Sequence, residues 1–280
     1  RRSIIMIIDF HTHTFPDSVA PRAIASLSQR GNIKPYSDGT LNGLKESMKR
    51  SGVDYSVILP VATSVHQVQS INRLGAQLSG KDGIIYAAAI HPDCGNLDAL
   101  LDDIKAAGFF GIKLHPDYQG VYFDDPRYIN IMEKAAQRGL ITITHAGIDV
   151  AYRDDVHCTP DMVLHVLNEL RGIIEYKLVL AHLGGFELED EVMDKLVGKP
   201  VYMDTAAVLS INPEKNREII RRHGADFIMF ATDSPWAPQD EFIKLITSPE
   251  YGLSDEELEK IMYKNALKLL CGVCDIGCAQ

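Results

Sequence analysis

Residues 7–15 read IIDFHTHTF, an apolar run that ends in two histidines one residue apart. Ile7, Ile8 and Phe10 suit a buried strand, so His11 and His13 leave the same face at its end, about 6.5–7 Å apart along the backbone. Two imidazoles so placed can converge on one ion, or they can be hydrogen-bonded groups at an ordinary strand end. The other strand ends decide between these readings.

Seven more apolar, β-branched runs follow the first: YSVILPVA (55–62), IIYAAAIHP (84–92), GIKLHP (111–116), LITITHAG (140–147), KLVLAHLGG (177–185), PVYMDTA (200–206) and FIMFATDSPW (227–236). Amphipathic stretches separate them, among them LNGLKESMKRSG (41–52), LDALLDDIKAAG (97–108), YINIMEKAAQRG (128–139), MVLHVLNELRG (162–172) and PEKNREIIRRHG (213–224). Each of these five closes on glycine, the usual helix stop. Continuous apolar strands joined by crossover helices make a parallel sheet, and eight such units predict an α/β fold of the (β/α)8 TIM barrel type. An open doubly wound sheet is the alternative, but no glycine-rich phosphate loop follows the first strand. The expectation is a single domain over residues 1–280, with its core at about 5–270 and a cysteine-containing tail at 271–280.

Composition narrows the function. The 280 residues are 46% apolar and 24% charged, the range of a soluble globular chain, and the formal net charge of −10 does not favour a nucleic-acid partner. No apolar stretch approaches the roughly 18–20 residues that span a bilayer, and RRSIIMIIDF has neither a long hydrophobic region nor a small-residue cleavage site. A cytoplasmic protein acting on a small molecule is expected, and a homo-oligomer is compatible with the sequence. Of five cysteines, Cys271, Cys274 and Cys278 crowd the tail, without the four-ligand set of a structural zinc site; Cys94 and Cys158 stand alone in predicted loops.

Six of the ten histidines, His11, His13, His91, His115, His145 and His182, lie at or just beyond the carboxyl ends of predicted strands, as does Asp233. In a barrel those ends share one mouth. A carboxylate ending a run as apolar as MFATD is costly to bury unless a cation or strong donors compensate it. His11, His13, His145 and Asp233 thus form a candidate ligand set for one divalent ion, with Zn²⁺ expected and Mn²⁺ or Fe²⁺ as alternatives. Asp9, assigned to the face that carries His11 and His13, is a candidate to orient an imidazole. His91 and His115 precede prolines and are expected to anchor the mouth. His66, His157, His165 and His223 are read as structural.

The order of IDFHTH, GIKLHP, AHLGG, ATDSPW and a closing KNALKLL, over residues 7–270, resembles the amidohydrolase superfamily. The likeness is to its amidohydrolase-related (amidohydrolase 2) branch, which also holds aminocarboxymuconate-semialdehyde decarboxylase-like enzymes. The resemblance implies a metal held by His11, His13, His145 and Asp233, Asp233 as catalytic proton acceptor, and His182 as an acid, base or electrostatic contributor. Lys113, on the fourth strand, is open between a bridging carbamate, a contact to an anionic substrate and a structural ion pair. Lys113, His115 and Trp236 are the candidate substrate contacts. The expected function is metal-dependent hydrolysis of an amide, ester or lactone of a small, carboxylate-bearing molecule. Decarboxylation of an unsaturated or aromatic acid is the alternative, and a non-catalytic metal-binding scaffold a second one. The loops at 14–42 and 146–160 are expected to set specificity.

Overall fold

The computed structural model describes residues 6–271. Its strands are β1 (Ile8–Thr12), β2 (Tyr55–Ile58), β3 (Ile84–Tyr86), β4 (Ala88–Ala89), β5 (Gly111–Leu114), β6 (Ile141–Thr144), β7 (Leu178–Leu180), β8 (Tyr202–Asp204) and β9 (Ile228–Met229). All paired neighbours run parallel. β3 and β4 are two halves of one barrel position, parted at Ala87, whose N–H donates to the Ile58 carbonyl at 3.0 Å. The ring closes where Phe10 N–H donates to Phe230 O (3.0 Å) and Asp233 N–H to His11 O (2.9 Å). Eight strand positions in a closed ring make the (β/α)8 barrel that the alternation predicts.

Most strands are buried on both faces because side chains fill the barrel and helices cover it; β1, β5 and β6 have no accessible residue. Phe10 on β1 and Phe110, just before β5, meet edge to face at 5.9 Å in a cluster with Val57, Ile85, Ile143 and Met229. The five quoted amphipathic stretches overlap helices at Leu41–Ser51, Leu97–Ala106, Pro126–Gln137, Pro160–Glu169 and Pro213–His223, two of which begin two residues earlier than quoted. Thr159 shows why one of these starts where it does: its side chain accepts from Met162 N–H, and Pro160 occupies the first turn, where no donor is needed. The loop expected after β1 itself holds a helix, Ala20–Gly31.

One glycine fixes the mouth. Gly147 has φ +89°, and a Cβ there would lie 2.0 Å from Phe186 N, because the segments after β6 and β7 touch backbone to backbone. Gly147→Ala is expected to destabilise the fold by about 1–3 kcal/mol or more. Urea denaturation checks this; a midpoint equal to that of the parent chain contradicts it.

Candidate metal centre and pocket

His11, His13 and Asp233 come together at the carboxyl end of the barrel. The two Nε2 atoms are 3.1 Å apart, and Asp233 Oδ1 lies 3.1 Å from His13 Nε2 and 3.4 Å from His11 Nε2. The remote ring nitrogens explain this arrangement. His11 Nδ1 faces Asp204 Oδ2 at 2.9 Å and His13 Nδ1 faces the Leu59 carbonyl at 2.9 Å, so both rings carry their proton on Nδ1 and turn an Nε2 lone pair inward. Three acceptors crowded in this way repel one another unless a cation lies among them. Ligands at about 2.0–2.1 Å from one ion sit roughly 3.3 Å apart, which this trio matches.

Asp233 occupies the left-handed region at φ +72°, which aims its carboxylate back over β1. Burial pushes its pKa up, but the surrounding His13, His11 and His182 rings outweigh that and hold it below the usual carboxylate value. Burial, then the Lys113 ammonium, keeps His11 well below the usual imidazole value, in its neutral, ligating form. Lys113 is itself buried; its Nζ lies 3.4 Å from His11 Nε2, and burial lowers its pKa to about 8 against the pull of Asp204 and Asp233.

The expected four-residue set does not assemble as one group. His145 falls in a second group, with His115 and Asp149. Its ring stacks on His115 at 4.5 Å and 8°, and its Nδ1 faces His182 Nε2 at 3.0 Å. His182, also left-handed at φ +58°, stands between the groups, with its Nδ1–H on the Ala206 carbonyl (2.9 Å) and its ring 5.5 Å from that of His11. Burial holds both His115 and His145 well below the usual imidazole value.

Asp9 is a second correction. Register slips between Asp9 and Thr12, so the two-residue alternation of β1 is broken, and the Asp9 carboxylate meets the His11 backbone N–H (3.4 Å) but neither imidazole. It accepts instead from Thr232 N–H, Thr232 Oγ1 and Gln239 Nε2, and burial raises its pKa to about 7. Asp204 takes the orienting position, with Oδ2 on His11 and Oδ1 accepting from His182 N–H and Ala206 N–H.

Above the trio opens a cavity of about 430 Å³ with walls that are chiefly apolar: Phe15, Ile33, Ile148, Phe186, Trp236 and Phe242. His11, His13, Lys113, His115, His145, His182 and Asp233 also line it. Strand-end donors gathered under one pocket on a closed barrel are the arrangement for which a family match becomes informative. The family model described as "Amidohydrolase" matches residues 8–271.

The chain belongs to the amidohydrolase family. Among solved structures similar to this amidohydrolase are 2,6-dihydroxybenzoate decarboxylase from Rhizobium (TM-score 0.70, 14% identity, 95% of this chain and 98% of that one) and 5-carboxyvanillate decarboxylase from Sphingomonas paucimobilis (0.67, 14%, 95% and 99%). A probable 2-pyrone-4,6-dicarboxylic acid hydrolase from Acinetobacter baumannii is similar to the same degree (0.67, 14%, 95% and 99%). At such identities the likeness establishes the fold. Comparison with curated protein sequences gives no match.

The remaining histidines of this amidohydrolase have local partners. His91 Nδ1 accepts from Asp93 N–H, His223 Nε2 donates to the Val201 carbonyl, His165 pairs with Asp124, and exposed His66 faces Ser64 Oγ. His157 meets Asp117 Oδ1 at 3.1 Å. Buried Cys158 and half-buried Cys94 are free thiols, whereas Cys274 and Cys278 lie outside the described residues. Among the described residues no helix is long and apolar enough to cross a membrane.

Sequence reasoning missed Asp204, Asp117 and Asp149. The signal for Asp204 was available: VYMD ends an apolar strand in an acid, as MFATD does. Asp204→Asn removes the charge that holds His11 Nδ1–H and is expected to weaken metal affinity about 10–100-fold. Chelator competition measures it, with circular dichroism unchanged; wild-type affinity would remove Asp204 from the orienting role.

Proposed function

We propose that this amidohydrolase is a metal-dependent hydrolase that opens an amide, ester or lactone of a small, mainly apolar, carboxylate-bearing substrate. The observation that carries this reading is the Asp233 carboxylate, ionised and 3.1–3.4 Å from two inward-facing Nε2 atoms, beneath an apolar cavity. A divalent cation held by His11, His13 and Asp233 supplies Lewis acidity and lowers the pKa of water from about 15.7 towards ~7. Zn²⁺ suits the two-imidazole, one-carboxylate set, which leaves room for water and substrate.

The protein's own groups do the rest. Asp233 accepts the proton of the attacking water and returns it to the leaving oxygen or nitrogen as the C–O or C–N bond breaks. His182, fixed by Ala206, adds a polar group beside the developing oxyanion. Lys113, a buried ammonium 3.4 Å from His11 Nε2, attracts a substrate carboxylate into the otherwise apolar pocket. His115 and Trp236, both in the cavity wall, bound the substrate's body.

Decarboxylation is the second reading. It is favoured by the same pairing of Lys113 with apolar walls, which suits an aromatic acid, and by the two decarboxylases among the similar structures. The reactions differ in the use of water. Metal-loaded protein is incubated in ¹⁸O-water with panels of lactones, esters, amides and aromatic or enoic acids, and products are read by mass spectrometry. Label in a product carboxylate is the expected result; release of CO₂ with unlabelled product replaces the hydrolase reading with the decarboxylase one.

A further inference from the structure

The helix Ala20–Gly31 carries small or apolar residues at Ala20, Ile24, Leu27 and Gly31, one face of a 3.6-residue period. That face does not enter the core. Ala20 is the one buried residue of the twelve, whereas the helix Pro126–Gln137, of the same length, buries five. Leu27 and Gly31 instead line the cavity, as do Ile33 and Tyr36 just beyond the helix. The helix is therefore an outer wall of the pocket with little burial of its own to hold it in place.

Both of its ends are tied to the rest of the chain. Near the first turn Ile24 packs on Gly39, where a Cβ would lie 2.6 Å from Ile24 Cδ1, and the Gly39 carbonyl accepts from Phe15 N–H at 2.8 Å. In the last turn Arg30 reaches across to the segment after β6. Its Nη2 donates to Tyr152 Oη at 2.7 Å, and its guanidinium carbon stands 5.0 Å from the Tyr152 ring and 5.8 Å from the Tyr118 ring. Those two rings meet edge to face at 5.3 Å, and Tyr118 packs edge to face on His115 at 4.5 Å, which seats the contact on the barrel. Between the two sides runs a seam: Val150 Cγ2 lies 2.8 Å from where a Gly31 Cβ would be, and both residues line the cavity. An exposed hydrogen bond with an exposed cation–π contact shifts an equilibrium by about 5–50-fold, enough to favour a closed wall and little enough to let it open.

We propose that the helix Ala20–Gly31 is a movable wall that admits substrate along the Gly31–Val150 seam, and that Arg30 is the positioning residue that latches it shut through Tyr118 and Tyr152. Closure keeps bulk water from a bound molecule and holds that molecule over the trio. The inference stands on the cavity and its wall, so it goes beyond the proposed reaction and holds for hydrolysis and decarboxylation alike.

The test reads access to the cavity. Trp236, the single tryptophan of the chain, lines it and reports the entry of acrylamide by fluorescence quenching. Arg30→Met is expected to raise the quenching rate constant by about twofold or more, Tyr152→Phe and Arg30→Lys by less, with the urea midpoint at the parent value. A Gly31→Cys, Val150→Cys pair, placed in the Arg30→Met chain, supplies the converse, because the seam brings the two Cβ positions within disulfide reach. Oxidation of that pair, verified by mass, is expected to return quenching to the parent value or below, and dithiothreitol to release it again. Parent-like quenching in Arg30→Met overturns the proposal. Raised quenching that the closed disulfide does not reverse overturns the seam as the route. None of these readings uses turnover, so the proposed reaction and this wall fail separately.

Discussion

Asp233→Asn is expected to lower kcat/KM by about 10²–10⁴-fold with metal restored in excess, because the amide can neither accept the proton of water nor neutralise a cation. The substitution spares the fold. Asparagine tolerates the left-handed backbone that Asp233 adopts at φ +72°, and the backbone N–H that donates to His11 O is unchanged. The Asp233 pKa is already held below the usual carboxylate value, so at neutral pH the parent side chain is ionised and the variant removes a full charge from among the imidazoles. Steady-state kinetics on whichever substrate the labelling panel identifies, with metal content in parallel, measures the effect. A variant within a few-fold of the parent would take Asp233 out of the chemistry.

His11→Ala has the second largest expected effect, and it acts on two quantities. Removing Nε2 takes away one of three converging donors, so affinity for the ion falls by more than about 100-fold. Removing Nδ1–H deprives Asp204 Oδ2 of its 2.9 Å hydrogen bond in a wholly buried place, which costs about 1.5–3 kcal/mol of stability in the metal-free protein. Equilibrium dialysis and urea denaturation of the metal-free chains report these separately. Parent-like affinity for this ion contradicts the ligand role, and an unchanged denaturation midpoint contradicts the account of Asp204.

Much of the fold was legible because its signals are local. Each apolar run of six to ten residues could be read as a strand, each glycine-closed amphipathic stretch as a helix, and the order of the two allowed few topologies. The placing of His11, His13 and Asp233 at one mouth followed from the barrel, since strand ends far apart in sequence share a rim in any closed ring. Asp9 was misplaced for an equally physical reason. Alternation along a strand holds only while the register holds, and the slip between Asp9 and Thr12 depends on how β1 pairs with β2, which no single strand encodes. The helix Ala20–Gly31 was hidden within a stretch read as loop.

The sequence by itself determined the closed parallel barrel, the family and the presence of several histidines and an acid at the strand ends, because periodicity and chain order suffice for these. Tertiary structure decided which of those groups share an ion. Ring orientation is set by what each Nδ1 touches: Asp204 for His11, Leu59 for His13, His182 for His145, partners 193, 46 and 37 residues away. Those contacts divide His145 from the His11, His13 and Asp233 group and leave Asp117, three residues beyond β5, near two imidazoles. A hydrogen bond between residues that far apart is a property of packing, so its consequences for the site are not present in any local pattern.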